Sequence, residues 1–135
     1  MHPSRKLLVI LALLAPQAAG AQSAKPALYT DAQAQAGAAV YSQACAACHG
    51  QQLEGVAAPA LKGPAFGEMA NAQMLTADAL LDVITNTMPQ SDPGSLKPDD
   101  DSAVTAYILQ QNGYPSGSAA LTKGAPGLKD AKVTP

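Results

Sequence analysis

The hydrophobic and polar positions of this 135-residue chain fall into helical stretches separated by loops rich in glycine and proline. From Asp31 to about Cys45, residues Gly37, Val40, Tyr41 and Ala44 recur at helical spacing and share one face. Thr30 and Asp31 are both capable N-caps for that helix. Gly37 costs helix stability unless its missing side chain lets another backbone approach, the use favoured here with Tyr41 alongside. Gly50 to Gly67 reads as a loop, punctuated by Gly55, Pro59, Gly63 and Pro64 and anchored by Leu53, Leu61 and Phe66. A short helical stretch carrying Met69 and Met74 ends near Leu75. Thr76 can cap a further helix through about Asn86, whose apolar face is Leu80, Leu81 and Ile84. Thr85 to Lys97 returns to loop, marked by Met88-Pro89 and Asp92-Pro93-Gly94.

The last helix has the clearest signature. Pro98 fits its first turn, and Asp99, Asp100 and Asp101 set negative charge against the positive end of the helix dipole. Ala103, Val104, Tyr107, Ile108 and Gln111 define one face, and Asn112-Gly113 supplies a left-handed stop. Tyr114 to Pro135 is rich in Pro, Gly, Ser, Ala and Lys, which predicts a mobile tail. Strand-like runs are nearly absent, so the pattern predicts an all-α domain.

The first 21 residues belong to a different kind of segment. A basic start, Met1 to Lys6, is followed by the apolar run Leu7 to Ala15 and the small-x-small triplet Ala19-Gly20-Ala21. That order predicts a secretory signal peptide, residues 1–21, cleaved after Ala21 and delivering the protein to the periplasm. The run is shorter than the roughly 20 residues a spanning helix needs, and stable membrane insertion is not expected. A retained interfacial anchor is the alternative. Residues 22–30 then form a flexible leader, 31–114 the folded domain, and 115–135 the flexible tail.

Composition limits how such a domain holds together. Hydrophobic residues make up 47%, but alanine dominates them, with no Trp, one Phe and four Tyr. So small and aromatic-poor a core calls for a staple. Loss of Arg5 and Lys6 with the leader takes the formal net charge from −2 to −4. With no basic cluster, nucleic acid is excluded as a partner, while mild acidity suits steering toward a basic patch.

The staple is suggested by Cys45-Ala46-Ala47-Cys48-His49. C-x-x-C-H reads as c-type haem attachment: each thiol adds to a vinyl group, and the adjacent imidazole reaches the iron. A structural zinc site needs four ligands, and Cys45, Cys48 and His49 supply three. A thioredoxin-like dithiol calls for a βαβ setting. A plain disulfide leaves His49 without a role. Haem c is the favoured reading, with a disulfide or an incidental metal site as alternatives. For the second axial ligand Met69, Met74 and Met88 compete. Pro89 pushes Met88 into extended geometry on a loop able to reach the iron opposite His49, whereas Met74 reads as core filler within a helix.

Taken in order, several stretches from Asp31 to Tyr114 resemble a class I cytochrome c of the small bacterial type. They are Gly37 with Tyr41, Cys45 to Gly50, Pro59-Ala60-Leu61, Met88-Pro89, Pro93-Gly94-Ser95-Leu96 and Ala106-Tyr107-Ile108-Leu109. Asn86-Thr87-Met88-Pro89 and Asn112-Gly113-Tyr114-Pro115 are similar to stretches in cytochromes that work with quinone-cofactor dehydrogenases. The resemblance implies three to five short helices wrapped around one haem, with the first and last helices crossing at Gly37, Tyr41 and Tyr107. It implies thioether bonds from Cys45 and Cys48, His49 and Met88 as iron ligands, and a Pro59 carbonyl accepting from the His49 ring. Leu61 and Phe66 would pack on the haem. With Trp absent, a propionate partner would have to come from Tyr or backbone.

The function implied is one-electron transfer rather than catalysis, in a monomer. The donor would be a periplasmic dehydrogenase or bc-type complex, and the acceptor a terminal oxidase or peroxidase of a respiratory chain. The alternatives are a tightly bound cytochrome subunit of a dehydrogenase complex and a gas-binding or sensor haem protein.

Overall fold

A computed structural model describes residues 24–134. The expected signal peptide, residues 1–21, lies outside the described residues. Five helices follow in order: α1 Asp31–Ala44, α2 Ala46–His49, α3 Gly63–Ala72, α4 Ala77–Thr87 and α5 Pro98–Gln111. Among the described residues the only β pairing is an isolated bridge between Thr76 and Lys132, so the fold is all-α as the pattern predicts.

The first and last helices cross at Gly37. A Cβ there would lie 1.9 Å from the Ala103 carbonyl oxygen, so the α5 backbone occupies the space that any other residue would fill. Beside the crossing, the Tyr41 and Tyr107 rings pack with centroids 5.3 Å apart, and the buried Tyr41 hydroxyl donates to the Gly50 carbonyl at 2.7 Å. α1 begins at Thr30, whose hydroxyl accepts from the Gln33 N–H at 3.3 Å. Thr76 does the same for α4, accepting from Ala79 at 3.2 Å.

Two expectations are corrected at the ends of the domain. Residues 24–30 are not a flexible leader: Leu28 and Tyr29 are buried, and the Tyr29 carbonyl accepts from the Gly117 N–H at 2.7 Å. Nor are 115–134 a flexible tail. Leu121, Leu128, Ala131 and Val133 are buried, and both faces of the Gln33 side-chain amide pair with the Leu121 backbone, at 2.7 and 2.8 Å. The segment also completes α4. The first N–H groups of a helix have no partner within it. Here Ala77 donates to the Ala131 carbonyl at 2.9 Å and Asp78 to the Leu128 carbonyl at 3.2 Å. Lys25 closes the join, donating to the Asn112 and Thr134 carbonyls, each at 2.7 Å.

A third correction concerns α3, which starts at Gly63 within the expected loop, with Pro64 in its first turn. Phe66 therefore falls on the helix face it shares with the buried Ala70, four residues on. Met74 lies beyond the end of α3 at 76% exposure, not in the core.

Candidate functional site

α1 ends at Ala44, the chain bends at Cys45, and the four-residue α2 carries the rest of the cysteine–histidine motif. The Cys45 carbonyl accepts from the Cys48 N–H at 3.1 Å and the His49 N–H at 2.9 Å. These bonds hold one helical turn, and positions three and four apart on a turn lie on one side of it. Both thiols are unbridged; Cys45 is half-buried, which pushes its thiol up, and Cys48 is exposed. Ala47 is exposed and Ala46 buried.

The loop after α2 folds back over the motif. The Cys48 carbonyl accepts from Ala57 at 3.0 Å and from Ala58 at 2.9 Å, and Gly55 donates to the His49 carbonyl at 2.7 Å. Gly55 adopts φ +81° with Ala60 N where a Cβ would sit, so this return depends on glycine. It brings the Pro59 carbonyl to 2.8 Å from His49 Nδ1. A carbonyl oxygen only accepts, so Nδ1 carries the proton and Nε2 keeps the lone pair that binds a metal. Asn112 fixes the far side of this loop, its side-chain amide donating to the Leu61 carbonyl at 2.9 Å.

Across the gap, α4 ends at Met88, whose φ of −120° and ψ of 151° are the extended values that Pro89 enforces. Its N–H still donates to the Ile84 carbonyl at 3.2 Å, so the side chain is presented from a helix end rather than a free loop.

Between these walls lies a cavity of about 430 Å³. Cys45, Cys48, His49, Pro59, Leu61 and Met88 all line it. Phe66 does not; it is buried on α3. Met69, half-buried on α3, and Met74 are likewise absent from the lining. The helix before Met88 was expected to form a wall of the site, but its lining residues Leu80, Val83 and Ile84, and the share taken by Val104 and Ile108 of α5, were not foreseen. The signal was present as helical periodicity, which marks a buried face without saying what buries it. No tyrosine lines the cavity; Gln43, Gln90 and Ser91 are its neutral polar side chains. No three His, Cys, Asp or Glu side chains gather as a metal site among the described residues.

A family model described as cytochrome c oxidase, cbb3-type, subunit III, matches residues 32–108, more than half of the chain. The chain belongs to this cytochrome c family. Among solved structures, this cytochrome is similar to thiosulfate dehydrogenase (TsdBA) from Marichromatium purpuratum, at 28% identity and a TM-score of 0.48. That match covers 82% of the cytochrome and 28% of the other chain, so the cytochrome spans little more than a quarter of that protein's length. No curated protein matches the chain.

Family membership makes this a haem protein that transfers electrons. The residues present fit the group: two unbridged thiols and a histidine with its Nε2 available stand on one wall, and a methionine on another. The volume falls in the roughly 300–1,000 Å³ range of cofactor sites. Apart from His49, no side chain in the lining is titratable other than the two thiols, so the interior suits a large apolar ring.

Proposed function

We propose that this cytochrome is a periplasmic one-electron carrier whose single haem c is bound through Cys45 and Cys48 and ligated by His49 and Met88. The observation that carries the proposal is the convergence of those four residues on one apolar cavity, with Pro59 orienting the imidazole. Haem c supplies an iron that cycles between ferric and ferrous states, and axial Met raises its potential relative to a stronger donor. The chain's own residues do the rest. Pro59 holds Nδ1–H and with it the ring's orientation. Met88, anchored at the end of α4, would supply the second protein ligand to the iron and would close it to substrate, which favours a carrier over an enzyme. Leu80, Ile84, Val104 and Ile108 exclude water.

Electrons would arrive from a dehydrogenase or bc-type complex and leave to a terminal oxidase or peroxidase, through weak docking at the exposed Ala47–Cys48 edge. The signal-peptide pattern of residues 1–21 supports export to the periplasm, where this chemistry takes place.

The test is the intact mass and alkaline pyridine spectrum of protein purified from an exporting host with a haem c maturation system. One haem retained on denaturation, with the spectrum of two saturated vinyl groups, is expected. Haem that dissociates on denaturation would overturn the covalent assignment, and Cys45→Ala should give the spectrum of a single thioether.

A further inference from the structure

Of the three aspartates that open α5, one does not behave as a solvated complement to the helix dipole. Asp99 is exposed and Asp100 half-buried, whereas Asp101 is only 3% exposed. Its Oδ1 has no hydrogen-bond partner, and no cation lies within salt-bridge distance among the described residues. A buried carboxyl with one oxygen unpaired is costly to ionise. Its position in the helix gives that cost a use. Asp101, Val104 and Ile108 stand at i, i+3 and i+7, one stripe of α5, and Val104 and Ile108 line the cavity. Asp101 therefore sits one helical turn before two residues of the cavity wall.

We propose that Asp101 is a redox-linked proton site of this cytochrome. The inference rests on the haem reading above. As an electron enters from the donor, the Asp101 carboxylate takes up one proton from bulk solvent; as the electron leaves, the carboxylic acid returns it. The direction follows from charge. An electron added nearby makes a neighbouring carboxylate harder to sustain, so the carboxyl has a higher pKa in the reduced protein than in the oxidised one. Burial already raises the pKa of this carboxyl, with the Thr85 side chain of α4 opposing and Asp100 adding to the shift. The remaining charged side chains on the elements around it are Asp31 on α1, Asp78 and Asp82 on α4, and Asp92 and Lys97 on the intervening loop. Asp82 is engaged with Lys123 at 3.0 Å. None of these cations or anions pairs with Asp101, so its titration is left to respond to the charge in the cavity.

The experiment is a spectroelectrochemical titration of the haem-loaded protein and of Asp101→Asn over the weakly acidic to neutral range. The midpoint potential of the natural sequence should fall as pH rises, and D101N should flatten that slope while sitting at the higher potential. A second measurement does not depend on the variant. The reduced-minus-oxidised infrared spectrum of the natural sequence should gain a protonated carboxyl band that D101N lacks. A flat profile in the natural sequence, or a slope and band that persist unchanged in D101N, would overturn the proposal and assign any proton uptake to another group, such as a haem propionate. Protein without haem c absorbance would fail at an earlier point, against the cofactor assignment rather than against Asp101.

Discussion

Single residues carry both the strongest constraints and the most direct predictions. Gly37 is the contact point of α1 and α5, and a methyl group there would overlap the Ala103 carbonyl. Gly37→Ala should therefore force the helices apart and cost about 1–3 kcal/mol, the usual range for overpacking, read from denaturant unfolding of the haem-loaded protein. An unchanged unfolding midpoint would contradict the crossing. Burial first, and then Cys45 while its thiol is free, Tyr107 and Glu54, push the Tyr41 phenol up to about 12 from an ordinary 10.0. A phenol with a raised folded pKa contributes stability that is complete below its unfolded pKa and lost as pH climbs through the folded one. The stability advantage over Tyr41→Phe should thus hold to about pH 10 and disappear toward 12, in unfolding curves followed upward from neutral pH. At neutral pH that variant, lacking the bond to Gly50, should be weaker by about 0.5–1.5 kcal/mol. The chemistry of the motif was legible at this scale because Cys45, Cys48 and His49 are neighbours in the chain. The place of Met88 on the cavity wall was legible through Pro89. Phe66 was not, since its placement depends on a helix whose start, at Gly63, looked like loop punctuation and was betrayed only by Pro64.

At the scale of elements, the join between the C-terminal segment and α4 matters most. Leu128 is buried and its carbonyl caps Asp78, so one residue both packs the core and completes a helix start. Leu128→Ala should cost about 2–5 kcal/mol, the range for truncating a fully buried leucine, measured by thermal or chemical unfolding. A loss near zero would mean the segment is loosely held in solution. Its composition pointed the other way, because a stretch rich in Pro, Gly and Lys has too little apolar surface to fold by itself. This one does not fold by itself. Its apolar residues are irregularly spaced, and their partners, Leu75, Ala77, Asp78 and Gln33, lie far back in the sequence. No local window contains that information. α1, α4 and α5 were readable for the opposite reason: their caps and apolar faces are local, at Thr30, Thr76 and Pro98.

At the scale of the whole molecule, an aromatic-poor chain surrounds a cavity that its own side chains do not fill. The walls come from α1–α2, the returning loop, α4 and α5, so every major stretch except α3 and the terminal segments contributes to one site. That arrangement gives helices short of large side chains a place where a haem would complete the core. It also predicts that Met88→Ala, which leaves the walls in place, should keep the haem but lose the thioether-to-iron charge-transfer band. A surviving band would assign the second ligand elsewhere.

The most direct test of an iron capped on both faces is to add carbon monoxide to the reduced, haem-loaded protein and follow the Soret band. No shift is expected if His49 and Met88 both ligate the iron. A prompt shift would contradict that ligation and would place this cytochrome among haem proteins that bind ligands rather than those that only pass electrons.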